Sequence, residues 1–119
     1  MTKEIKFRIW DKRNLQWATD FYIIPETGKL WCENAAFIPD DFVIMQYTGL
    51  KDANEKEIYE GDLLGKKEFP FMALKVYWNE KHSCFSVRYP FNDTSPLWLQ
   101  DDKIIIGNIY ENQELICKQ

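Results

Sequence analysis

Two short stretches hold the residue types from which a catalytic or metal site could be built. Glu60 and Asp62 flank Gly61 in the run Ile58-Tyr59-Glu60-Gly61-Asp62-Leu63-Leu64. Two carboxylates two residues apart can share a strand face and divide acid and base work between them. No histidine or nucleophile lies near them in sequence, and a structural reading competes. Gly61 takes a conformation that a side chain resists, Asp62 accepts neighbouring backbone N–H groups, and Leu63-Leu64 enter the core. His82 and Cys84 flank Ser83. On one strand face they could supply two metal ligands or a thiolate–imidazole nucleophile. His82 is the only histidine, so further ligands would have to come from Cys32 and Cys117 in distant segments. A buried thiol is ordinarily a small hydrophobe. The structural reading is preferred at both places, and no catalytic, cofactor-binding or metal-binding residue is assigned.

The remaining polar clusters are weaker. The doublets Asp40-Asp41 and Asp101-Asp102 could face a hard cation, but Ca²⁺ takes about six to eight oxygens and no DxDxDG spacing occurs. Both precede expected strands, where solvated turn carboxylates are ordinary. Gly61 to Lys67 has glycines and lysines but lacks the GxxxxGK[ST] pattern of a phosphate loop. Lys66, Lys67, Lys75 and Arg88 could form a local basic patch, with Tyr77, Trp78 and Tyr89 as stacking surfaces for single-stranded nucleic acid. The net charge of −4 argues against an indiscriminate nucleic-acid binder, which needs a basic face to displace counterions.

Positioning any of these groups falls to a chain of 119 residues, enough for one domain or one domain with a small appended unit. Five Trp, six Tyr and eight Phe require several large rings to be packed, which argues against extended disorder. The three cysteines, Cys32, Cys84 and Cys117, are odd in number and widely spaced, as thiols of a reducing compartment would be. No secretory h-region opens the sequence and no apolar run reaches the roughly 18 residues of a membrane span. The expectation is a cytoplasmic protein, away from membranes.

The hydrophobic pattern is that of short strands. Ile5, Phe7 and Ile9 alternate with Lys6, Arg8 and Trp10, the period of a half-buried strand. Residues 11–14 read as a turn, 17–24 as extended, 25–28 as a Pro–Gly turn and 30–32 as a returning strand, together a small meander. Residues 42–48 form a strand and 48–55 a polar turn, and a new strand starts after Gly61-Asp62. Residues 72–78 and 84–89 make a hairpin, with Phe85, Val87 and Tyr89 on one face. Residues 91–102 read as irregular apart from Leu97-Trp98-Leu99. Residues 104–110 form a strand with a bulge or bend at Gly107, and a helical turn follows in the tail. About eight strands and no amphipathic helix point to a barrel or sandwich.

Three fragments carry a resemblance: IKFRIWD (residues 5–11), MQYTGLKDANEKEIYEGD (45–62) and IIGNIYEN (105–112). Together they resemble the YopX family of phage and prophage proteins. The central block is the most specific of the three. Family members often carry Asn-Gly where this chain has Asn54-Glu55, a departure expected to affect turn geometry. The resemblance implies a mainly β protein, a small N-terminal β meander packed on an SH3-like β-barrel, encoded by a phage or prophage of a low-GC Gram-positive host. It implies no catalytic residue. The expected organisation is an N-terminal β subdomain and connection over 1–57 and a barrel with a short tail over 58–119. The expected function is a non-enzymatic protein-interaction module with an unidentified protein partner. A nucleic-acid-binding small barrel is the alternative, and an enzyme using carboxylates or Cys84 and His82 is the third reading. The consecutive Ile104-Ile105-Ile106 and the apolar face of Ile5, Phe7 and Ile9, with Trp10, Trp17 and Trp31, add an expectation of self-association as a homodimer.

Overall fold

The computed structural model describes residues 4–19, 21–33, 38–66, 68–69 and 72–116. Cys117, Lys67, residues 1–3 and residues 34–37 of the first connection lie outside them. The chain is mainly β, with its described strands in two antiparallel sheets and a separate hairpin.

The first sheet is built from β1 (Phe7–Asp11), β2 (Gln16–Ala18), β5 (Phe42–Lys51) and β6 (Glu57–Tyr59), in the order β2-β1-β5-β6. Between β2 and β5 the chain makes the two-stranded hairpin of β3 (Tyr22–Ile23) and β4 (Leu30–Trp31). β1 turns into β2 around Asp11. Its Oδ1 accepts the backbone N–H groups of Arg13 and Asn14, each at 3.0 Å, and its Oδ2 accepts from the Asn14 side chain at 2.8 Å. An aspartate closing its own turn in this way replaces strand hydrogen bonds lost at the bend.

The second sheet has five strands: β7 (Asp62–Gly65), β8 (Leu74–Asn79), β9 (Cys84–Arg88), β10 (Thr94–Pro96) and β11 (Ile104–Asn108). β7 to β10 run as a meander, a 3₁₀ turn follows at Leu97–Leu99, and β11 returns to pair with β7, giving the order β10-β9-β8-β7-β11. That connectivity makes an SH3-like barrel. Pro96 sits in β10, an edge strand of this sheet, where a missing backbone donor is tolerated. The barrel core is Leu64, Leu74, Val76, Val87 and Leu97 with Ile58, and Phe85, Tyr89 and Ile105 pack against it. Ile58 belongs by backbone pairing to the first sheet and by side chain to the barrel, so the two sheets share core.

Several sequence expectations change in detail. The turn expected at 48–55 begins only after Lys51, because β5 continues through Thr48-Gly49-Leu50 with a shifted register against β6. β6 and β10, three residues each, are too short to show a period. Residues 17–24 divide into β2 and β3. In β1 both Ile9 and Trp10 are buried and Arg8 is half-buried, while Ile5 and Phe7 stay exposed. The irregularity at Gly107 is present as a register shift between Ile105 and Gly107. The Ile104 to Ile106 run is half-buried within the chain, with Ile105 against the barrel core and Ile106 beside Gly65.

Candidate functional site

The carboxylates of the Glu60–Asp62 motif go to different places. Asp62 is only 2% exposed. Its Oδ2 accepts the Tyr59 N–H at 2.8 Å, closing the turn, and its Oδ1 receives Nη2 of Arg8 at 2.8 Å. The same Arg8 nitrogen also donates to the Glu60 carbonyl at 3.1 Å. The guanidinium lies between two rings, 4.6 Å from the Trp17 centroid and 4.9 Å from that of Tyr59. Its buried Nε has no acceptor, so these ring faces are its surroundings on that side. Burial pushes the Asp62 carboxyl above the usual aspartate range, and the Arg8 charge pulls it part of the way back. This is a buried ion pair welding β1 to the start of the barrel. Glu60 instead turns outward to accept the Gln46 N–H at 2.9 Å.

The other signature residues make similar welds. Asp52 Oδ1 accepts the N–H groups of Asn54 and Lys56, and its Oδ2 accepts that of Ile105 on β11 at 2.8 Å. Gly61 has φ +86, donates to the Val76 carbonyl, and accepts from Ile109. A Cβ there would stand 2.9 Å from Sδ of Met45. A Cβ on Gly107 would meet Oδ1 of Asn112 at 2.5 Å, the atom that accepts the Asn108 N–H. Trp10 stacks on Tyr110 at 5.8 Å. The three fragments that carry the family resemblance therefore meet at one seam between the sheets. Glu55, where the family often has Gly, holds φ +63, the left-handed conformation that favours glycine.

His82 and Cys84 line one hollow of about 320 Å³ with Asn79, Ser86 and Trp98. The Cys84 sulfur sits 3.6 Å from the Ser86 hydroxyl. Cys32 is beyond β4 on the hairpin, and Cys117 is outside the described residues. Among the described residues no three His, Cys, Asp or Glu side chains gather as a metal site would require. Asp102 pairs with Lys66 and Lys103, while Asp40 and Asp41 lie in a 3₁₀ turn. The basic and aromatic residues do not form one platform. Lys75 and Arg88 are cross-strand partners, with Arg88 over the Tyr77 ring at 4.9 Å. Trp78 and Tyr89 project from the opposite face, and Tyr89 packs on the core.

A wider concavity lies elsewhere. A cleft of about 680 Å³ separates β5 from the β8–β9 hairpin and the Leu97–Leu99 turn. Trp78 pairs with Phe85 one step beyond the buried Val76–Val87 pair on the same face, so the floor of the cleft continues the barrel core. Leu97 closes the floor, and Leu50 with Tyr47 forms the far wall. Trp78 is 44% exposed and Trp98 58%. Neither indole N–H has an acceptor among the described residues. The charged groups on the lining are Glu4 and Glu60. Glu4 is paired with Lys6 at 2.8 Å. Glu60 has only its Oε1 engaged. The sequence reading passed over Trp98. The available signal was three successive large apolar residues in a 3₁₀ turn, which has room to bury only one of them.

The fold and seam define a class: a small mainly β protein with an SH3-like barrel joined through a buried ion pair to a second sheet. The YopX protein family matches residues 6–117, and the chain belongs to that family. A crystal structure of protein EF1440 from Enterococcus faecalis is similar, with a TM-score of 0.64 and 28% identity. The likeness covers 97% of this chain and 99% of that one. No curated protein matches. Among the described residues no helix is long and apolar enough to cross a membrane.

Proposed function

We propose that this YopX protein is a non-enzymatic interaction module of phage or prophage origin, working in the host cytoplasm, and that it binds a protein partner through the Trp78–Trp98 cleft. The observation that carries this is the open continuation of the barrel core into a cleft with two exposed indoles on its wall. Tryptophan in a concave apolar site is the residue type that most often dominates protein recognition. The polar side chains on the lining include those of Gln46, Thr48, Ser83, Cys84 and Glu60, which can orient a ligand. The test is affinity capture from infected host lysate with the wild type and with a Trp78→Ala/Trp98→Ala double variant. A partner retained by the first and lost by the second is expected. Equal recovery by both overturns the reading.

The adjacency of Lys75 and Arg88 beside Tyr77 favours a second reading, single-stranded nucleic acid on the outer face of β8–β9. It predicts binding of labelled oligonucleotides that steepens at low salt. No binding at ~50 mM salt sinks it.

A further inference from the structure

Resting on that assignment of the cleft, we infer that its occupant is an extended, proline-containing peptide segment bearing an arginine or lysine. Three observations converge on this chemistry.

The first concerns backbone donors. An incoming β-strand needs free N–H groups along the wall it joins. On the β5 wall three of these are already engaged. Gln46 donates to Glu60 Oε1, Tyr47 to the Lys6 carbonyl, and Leu50 to the Thr48 hydroxyl. The cleft therefore offers little to strand addition.

The second is what remains open. Trp78 and Trp98 expose apolar ring surface on the cleft, and their indole N–H donors have no acceptor among the described residues. A helical ligand satisfies its own carbonyls along its length. A polyproline-II segment has no internal hydrogen bonds, leaves every carbonyl outward, and carries flat prolyl rings at low entropic cost. It answers both the faces and the donors of the two indoles.

The third is charge. Among the described residues no lysine or arginine is on the cleft lining, and Glu4 is paired with Lys6. Glu60 is held in place by the Gln46 N–H and has no cationic partner among the described residues, so it is the point where a cationic side chain of the ligand ends.

The test selects a phage-displayed random dodecapeptide library on the immobilised full chain, counter-selected on the Trp98→Ala variant. Trp98 is largely exposed, and an unchanged melting curve shows that the variant is folded. The expected winners contain spaced prolines and at least one basic residue. A synthesised winner should lose about tenfold or more in affinity on Trp98→Ala or Trp78→Ala. On Glu60→Gln, which keeps the Oε1 acceptor, it should lose about threefold at low salt, and the difference should fade as salt screens it. Cleft-dependent winners without proline overturn this occupant and leave the interaction reading standing. Winners indifferent to both tryptophan substitutions, or no enrichment, overturn it as well, and the lysate capture then decides separately whether the cleft is an interface.

Discussion

Arg8 and Asp62 stand 54 positions apart and hold the two sheets together at a distance of 2.8 Å. Such a pair is costly to bury and costlier to break, because removing one partner leaves an uncompensated charge. Arg8→Met should therefore destabilise the fold by about 3–5 kcal/mol near neutral pH. The effect depends on pH in a defined direction. The folded-state Asp62 carboxyl already titrates above the unfolded one, because burial outweighs Arg8. Its contribution to stability is full below the ordinary aspartate pKa of about 3.9 and is lost as pH rises through the elevated value. Without Arg8 that value climbs further. Urea midpoints of wild type and Arg8→Met should therefore lie closer together at pH 4 than at pH 7, and a gap independent of pH would show that Asp62 is not the group involved. Gly61 next to it has φ +86 with Met45 sulfur where a Cβ would go. Gly61→Val should cost on the order of 1–3 kcal/mol or more, read as a lowered melting temperature. At this scale the sequence was half legible. The glycine's conformation and the carboxylate closing its own turn follow from residue type and spacing. That the same carboxylate also holds an arginine from β1 depends on which strands become neighbours, and nothing local encodes that.

Elements were legible in proportion to their length. β9 shows its period in Phe85, Val87 and Tyr89, and β8 ends where Asn79 opens the turn, its side-chain oxygen accepting the His82 N–H. β6 and β10 carry three residues each, too few for alternation to separate them from loop. In β1 the alternation was visible, but its side was not. Of the apolar set Ile9 is buried but Ile5 and Phe7 are outside, while the cation Arg8 of the other side is half-buried, because two rings and a carboxylate accept it there. The turn between β5 and β6 is more than a connection, since Asp52 lashes it to β11 through the Ile105 N–H and the Ala53 N–H reaches the Lys103 carbonyl. Asp52→Ala removes acceptors for three backbone donors at once. Each buried donor left unmet costs roughly 1–3 kcal/mol. Hydrogen exchange should show β11 losing protection first in this variant, with Val76 and Val87 in β8 and β9 less affected. Uniform loss across all strands would mean the turn acts only on global stability.

For the whole molecule, the seam predicts that the two sheets unfold as one cooperative unit. Ile58 packs in the barrel core, Asp62 needs Arg8, and Ile105 needs Asp52. A fragment of residues 58–119 would carry a buried aspartate without its cation and a barrel edge without its cover. We expect it to be unfolded in isolation, and the full chain to unfold in a single transition with coincident far-UV and tryptophan-fluorescence midpoints. A folded fragment, with dispersed amide signals in its NMR spectrum, would show two independent domains. What this unit leaves uncovered is where self-association would occur. Ile104, Ile105 and Ile106 find cover inside the chain and drop out of the argument. Trp10 is buried as well. Ile5 remains 65% exposed and Phe7 42%, with Trp31 and Tyr22 exposed on the β3–β4 hairpin. Where such side chains join into one contiguous apolar patch they mark an interface, and a two-fold homodimer is the commonest closed arrangement. Light scattering over a concentration series should then show a dimer mass, and Phe7→Ser should return it to the monomer while leaving the Trp78–Trp98 cleft competent. A strictly monomeric mass at high micromolar concentration would assign Ile5 and Phe7 to the surface of a single chain.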